Sequence, residues 1–146
     1  IALACDIVIA SNNASFIQSF CRLGLVPDSG GSWFLPRLAG HARAMGMALL
    51  GDKISAQQAL EWGMIWQVVE SEALAAHTQE LAQRLATQPT YGLGLIKKAM
   101  YSAATNTLDQ QLNLERDLQR LGGRSEDYRE GVSAFFQKRQ PEFKGK

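Results

Sequence analysis

The stretch Leu25-Val-Pro-Asp-Ser-Gly-Gly-Ser-Trp33 decides how this chain is read. It sets one carboxylate, Asp28, between a proline turn and a glycine pair, and a segment of helical character follows. Phe16, Ile17, Phe20 and Trp33 surround it in sequence. A carboxylate among apolar groups loses hydration, which disfavours its charged form and pushes its pKa up. A group so placed can move protons near neutral pH. The residue type alone leaves a second reading open, in which Asp28 caps or precedes a helix. The positive end of that helix would stabilise the anion and oppose the rise. Gly30-Gly31 is equally double-edged. It could turn backbone N–H groups toward an anion, or simply supply a turn with permissive backbone angles.

Working outward, residues 6–10 are short, apolar and β-branched and predict a buried strand, with a turn at Ser11-Asn-Asn13 and a second short strand over 14–18. Residues 24–31 form a loop punctuated by Pro and Gly. Helices are predicted over 32–38 and 41–50, the second stopped at Gly51. Ser55-Ala-Gln-Gln58 has the form of a capping box for a helix closed by Gly63, and 65–69 predicts a strand. Beyond Glu70 the pattern is helical only, over 72–86, 92–104, a leucine stripe at 108–121, and a last helix capped by Ser125 and reaching Lys138. Alternating elements followed by helices predict an α/β core with a helical appendage, divided as residues 1–70 and 71–146.

The 146 residues suffice for one domain with a real core. Lys and Arg number 15 against 14 Asp and Glu, so no global charge draws the chain to nucleic acid or an acidic membrane surface. Locally, residues 120–146 hold seven basic and four acidic side chains, which reads as a solvated helix end or as a contact for an anionic ligand. Cys5 and Cys21 form no metal or CxxC pattern. Cys5, in an apolar run, is expected in the core, and two unpatterned cysteines suit a reducing cytoplasm. No apolar run is long enough to span a membrane. GxGxxG, P-loop, GxSxG and HExxH motifs are absent. His41 is expected to start a helix and His77 to face solvent, which leaves no histidine triad or metal set. Trp62 and Trp66 read as core or interface aromatics. The chain opens on Ile1 in mid-pattern and reads as a fragment whose N-terminal part is absent.

Ala4-Cys-Asp-Ile-Val-Ile-Ala10, Ala14-Ser-Phe16, Leu23-Gly-Leu-Val-Pro27, Gly30-Gly31 and Leu35-Pro-Arg-Leu-Ala-Gly40 together resemble the crotonase (enoyl-CoA hydratase/isomerase) superfamily. Ile54-Ser-Ala-Gln-Gln-Ala59, Gly63-Met-Ile65, Glu130-Gly-Val-Ser-Ala-Phe135 and Lys138-Arg139 continue the match in order to the end of the chain. The resemblance implies an α/β fold. It would be the C-terminal part of a β-β-α spiral core, with half of an acyl-CoA site, followed by a helical trimerisation region. It also implies that one family glutamate and the oxyanion-hole N–H groups lie upstream of Ile1. A second hydratase glutamate is expected at the position Phe20 holds, and Phe20 cannot transfer a proton.

Asp28 falls where isomerase-type members place a catalytic aspartate. Leu23 through Trp33, Glu61-Trp-Gly-Met-Ile-Trp-Gln-Val-Val69, Ala86-Thr-Gln-Pro89, Gly92-Leu-Gly-Leu-Ile-Lys97 and Asp127 through Phe135 narrow the resemblance. They are similar to the branch that isomerises ring-1,2-epoxyphenylacetyl-CoA in phenylacetate degradation. The implied substrate is an acyl-CoA thioester, with coenzyme A part of the substrate and no further cofactor or metal. Asp28 would be the acid/base, and Phe16, Phe20 and Trp33 would flank a ring-shaped acyl group unless they only fill the core. Lys138 would meet CoA phosphates, often those bound to a neighbouring subunit, and Phe135 would lie near the adenine. The expected assembly is a cytoplasmic homotrimer or dimer of trimers. Two other readings stand beside this one: an enoyl-CoA hydratase or Δ3,Δ2-enoyl-CoA isomerase of fatty-acid oxidation, and a non-catalytic CoA-binding or assembly domain.

Overall fold

A computed structural model describes residues 1–146, which form two compact units, Ile1–Gln79 and Glu80–Lys146. In the first unit, strand β1 (Ile9–Ser11) pairs in parallel with β4 (Gln67–Val69), matching Ala10 to Val68. Strand β2 (Ser15–Phe16) pairs antiparallel with β3 (Ile54–Ser55), matching Phe16 to Ile54. Between β2 and β3 lie a 3-10 turn, Ser19–Leu23, and helices α1 (Gly31–Ala39) and α2 (His41–Leu50). Helix α3 (Ala56–Glu61) joins β3 to β4.

Leu35 and Ala39 recur one helical turn apart on α1, and Ala44 and Met47 do so on α2, so each helix buries one stripe. These stripes meet Ala10, Ile54, Ala56, Ala59, Met64 and Ile65 in one core. Ala56 and Ala59 are completely buried, and their small side chains let α3 lie close against its neighbours. Pro36 sits inside α1, where its missing N–H removes one helical hydrogen bond. The helix nevertheless runs on to Ala39, anchored by the Leu35–Ala39 stripe.

Helix α4 (Leu74–Ala86) precedes the second unit's helices α5 (Thr90–Ala103), α6 (Leu108–Gly122) and α7 (Glu126–Gln137). Thr107 and Gln110 form a reciprocal capping box on α6, and the Ser125 hydroxyl accepts the Tyr128 N–H to start α7. Leu118 and Ala134 are the buried apolar side chains of this unit.

Four expectations are corrected. Regular pairing on the first strand begins at Ile9 rather than residue 6, because only Ile9–Ser11 finds a partner in β4. The second strand is likewise only as long as its two-residue partner β3, so it spans Ser15–Phe16 rather than 14–18. Cys5 is exposed, following a short 3-10 turn that buries none of its residues. His77 is half-buried, its Nε2 lying 3.0 Å from Gln67 Oε1, because α4 returns beside β4.

Candidate active site

A cavity of about 470 Å³ in the first unit is lined by Phe16, Gln18, Phe20, Asp28, Phe34 and Met47, among others. Each wall has its own origin. Strand β2 presents Phe16, and the 3-10 turn presents Phe20. Helix α1 supplies Phe34, and α2 supplies Met47, which is almost fully buried. The loop over residues 24–30 carries Asp28. Its near end is closed by the Leu25 N–H donating to the Phe20 carbonyl at 3.0 Å, and its far end by the Gly31 N–H donating to the Asp28 carbonyl at 2.7 Å.

Between those ends the backbone turns left-handed twice, at Ser29 (φ 51°) and Gly30 (φ 81°). A side-chain-bearing residue in that region carries a steric penalty and is held there by its surroundings. The Gly30 carbonyl then accepts the Trp33 and Phe34 N–H groups, both at 2.9 Å, which starts α1. Gly30 is therefore the N-cap of α1 with no side-chain hydrogen bond, and Asp28 is not a capping residue. The Asp28 carboxylate makes no hydrogen bond or ion pair within the chain, so both oxygens are free for chemistry.

The expectation that Asp28 is poorly hydrated is corrected, because Asp28 is exposed. Its chain neighbours on the helix side, Ser29 and Gly30, are too small to screen it, and Trp33 does not line the cavity. The Trp33 ring instead meets Phe34 edge-on at 4.9 Å, with the Arg37 guanidinium 3.9 Å from its centroid. Phe16 and Phe20 do share the cavity with Asp28. Phe20 contributes to this lining a side chain that cannot transfer a proton.

The sequence reading missed Gln18. Its side-chain oxygen Oε1 is buried without a hydrogen-bond partner and faces the start of α1, where a Cβ on Gly31 would come within 3.6 Å of it. A polar residue between Phe16 and Phe20 in an otherwise apolar wall was the available signal. Phe34 and Met47 were missed because helical spacing alone does not say that a core stripe also faces a cavity.

In the second unit Phe135 is exposed on α7, and Lys138 ends that helix in a left-handed conformation (φ 53°, ψ 40°). Around them the charges are ordered. Arg139 makes two bonds to Glu130, Nη1 to Oε1 at 2.5 Å and Nη2 to Oε2 at 2.8 Å. Arg139 and the Glu142 N–H together hold the Glu130 carboxyl down at about 2.

The sequence profile of the family described as Enoyl-CoA hydratase/isomerase matches residues 1–146. The chain belongs to the enoyl-CoA hydratase/isomerase family. It is 67% identical over 146 residues to the 1,2-epoxyphenylacetyl-CoA isomerase of Escherichia coli K12, all of this chain matching 56% of that protein. It is 38% identical to the 2,3-dehydroadipyl-CoA hydratase of the same strain, again over the whole chain and 57% of the relative. Among solved structures, the enoyl-CoA hydratase of Bacillus anthracis superposes with a TM-score of 0.94 at 34% identity, covering 99% of this chain and 56% of that one. The fold is therefore the crotonase α/β fold, and the chain spans little more than half the length of the curated relatives it matches.

Proposed function

We propose that the protein carrying this chain is an acyl-CoA isomerase that converts ring-1,2-epoxyphenylacetyl-CoA to the seven-membered oxepin thioester and shifts double bonds in related thioesters. The observation that carries this reading is the cavity that one free carboxylate, Asp28, lines together with Phe16 and Phe20. The 67% identity to an isomerase of that substrate supports it. In this reading the thioester oxygen is held by backbone N–H groups in a part of the family's fold that these residues do not cover. That contact stabilises negative charge as it develops on the oxygen and makes the neighbouring carbon acidic. For the double-bond shift, Asp28 takes a proton from one carbon, the electron pair moves into the thioester enolate, and the same carboxyl returns the proton to another carbon. In the epoxide substrate the ring C–C bond shared with the epoxide breaks as the oxepin ring forms, drawing on the same activated thioester. Phe16 and Phe20 give the acyl ring an apolar wall. Trp33, held against Phe34 and Arg37, would act from outside the cavity.

The same reading assigns Lys138 to the phosphates of CoA and Phe135 to its adenine. It takes 1–70 as the spiral-core portion and 71–146 as the oligomerisation region of a cytoplasmic homotrimer or dimer of trimers. Exposed apolar side chains on the second unit, Met100, Leu108 and Phe136 among them, support burial against further copies.

The test is to assay the whole natural protein and its Asp28→Asn variant with ring-1,2-epoxyphenylacetyl-CoA, a 3-enoyl-CoA and a 2-enoyl-CoA. Isomerisation by the parent, reduced at least about a hundredfold in the variant, supports the assignment. Full isomerase activity in the variant removes Asp28 from the chemistry. Hydration as the main reaction overturns the isomerase reading.

A further inference from the structure

The basic residues of the last segment are not equivalent once folded. Arg120 lies 3.8 Å from Asp117, Lys146 lies 3.6 Å from Glu126, and Arg139 is forked onto Glu130. The Arg129 guanidinium donates to the Arg124 carbonyl at 3.2 Å. Lys138, like Arg124 and Lys144, forms no ion pair and is exposed, so its ammonium is available to an outside anion; of these three, only Lys138 sits at a fixed left-handed turn. It stands at a backbone position that glycine usually occupies. The turn there is closed by the Lys138 N–H donating to the Phe135 carbonyl at 3.2 Å and the Arg139 N–H donating to the Ala134 carbonyl at 3.1 Å.

What keeps a lysine in that turn is the chain that follows it. Asp127 and Glu130 are three residues apart, so they share one face of α7. The buried Asp127 carboxylate accepts the Lys144 N–H at 2.7 Å and the Gly145 N–H at 2.9 Å. The Asp127 N–H donates to the Lys146 carbonyl at 3.0 Å. Glu130 takes both Arg139 and the Glu142 N–H, the latter at 2.8 Å. The Phe143 ring lies over Gly131, where an added Cβ would come within 3.5 Å. Residues 139–146 thus run back along α7, and two carboxylates grip them by their backbone N–H groups.

We propose that Asp127 and Glu130 are positioning residues for Lys138. By holding residues 139–146 against α7 they fix the left-handed turn that presents the Lys138 ammonium to the phosphate groups of a CoA thioester. This inference rests on the reading that Lys138 meets those phosphates. With the grip loosened, the turn relaxes and the ammonium loses its preset direction, so ordering it becomes a cost of binding.

The test is calorimetric titration of the whole natural protein with coenzyme A, set out as a double-mutant cycle with thermal melts of every variant. Glu130→Gln, at a partly exposed pair, is the main variant, and Asp127→Asn is the second. Lys138→Ala is expected to weaken CoA binding about tenfold. Glu130→Gln is expected to weaken it roughly three- to fivefold alone and to have no further effect in the Lys138→Ala background. Equal losses in both backgrounds overturn the positioning role, because they report general damage. Weakening by Lys138→Ala with none from Glu130→Gln or Asp127→Asn also overturns it and leaves the phosphate reading standing. An unaffected Lys138→Ala overturns the phosphate reading, and the positioning role falls with it.

Discussion

Replacing Gly51 by alanine tests whether the candidate site is braced from below by α2. Gly51 ends α2 at φ 66°, with its N–H donating to the Met47 carbonyl at 3.1 Å. A Cβ there would stand 2.9 Å from Cys21 Sγ, 3.2 Å from Arg22 Nε and 3.4 Å from the Gln18 carbonyl oxygen. These three atoms lie in or beside the Ser19–Leu23 turn that carries Phe20, so the glycine is the point where that turn rests on α2. A side chain in the left-handed region costs about 1–2 kcal/mol. The overlap with Cys21 adds about 1–3 kcal/mol, because the part-buried thiol has to move. The long Arg22 side chain can swing aside, and the carbonyl distance is an ordinary contact. Alanine also stiffens the unfolded chain, which returns roughly 0.4–1 kcal/mol. The expected net loss is about 2–4 kcal/mol. Gly46 is the control: it lies within α2, and a Cβ there meets nothing within 4 Å. Gly46→Ala is therefore expected to stabilise by about 0.5–1 kcal/mol through helix propensity alone. Urea unfolding at one fixed protein concentration reads both, provided the m-value is unchanged. A loss at Gly51 below about 1 kcal/mol, or equal effects at the two glycines, would refute the bracing.

Two further outcomes are expected from the second unit. The Glu130 carboxyl is depressed to about 2 from an ordinary 4.5, so its contribution to stability is complete above the ordinary value and is lost as pH falls from 4.5 toward 2. The gap in melting temperature between the parent and Glu130→Gln should accordingly stay constant from neutral pH down to about 5 and close toward pH 2; a gap that widens on acidification contradicts the assignment. Thr107→Ala removes the hydroxyl that accepts the Gln110 N–H and should lower stability by about 1 kcal/mol in urea, with Thr107→Ser close to the parent.

Local signals in the sequence were read correctly wherever local chemistry decides the structure. Helix α2 runs over 41–50 and stops at Gly51 as its spacing predicts, because the stop needs only a residue able to turn left-handed. The capping box at Ser55–Gln58 and the Ser125 cap are made within four residues of chain. Strand limits were not legible, because they are set by a partner far along the chain: β1 is only as long as its match with β4. Asp28 was found from its punctuation by Pro27 and Gly30, yet its exposure was not. Whether an aromatic neighbour in sequence screens a carboxylate depends on side-chain direction, and Trp33 is engaged with Arg37. The tail's excess of basic charge was visible, but not that Arg120, Arg139 and Lys146 are spent on carboxylates of α6 and α7. The Arg139 and Lys146 pairings arise only when residues 139–146 fold back.

The charge balance of the cavity bears on which reaction its residues can serve. Asp28 is the one ionisable side chain among the lining residues, and Phe20 lines the same cavity with a ring that cannot transfer a proton. Adding water to a double bond requires one group to deprotonate the water and a proton to be delivered to carbon. Moving a double bond leaves the proton count of the substrate unchanged, so one carboxyl can remove a proton and return it. A group used this way must reach two carbons in turn, which a carboxylate with no hydrogen bond or ion pair within the chain can do. It must also not drift, and here the backbone supplies the restraint. The Asp28 carbonyl is bonded to the Gly31 N–H, and the left-handed pair Ser29-Gly30 fixes the turn that follows. Restraint through the main chain and freedom at the carboxylate are the combination that a single returning base needs.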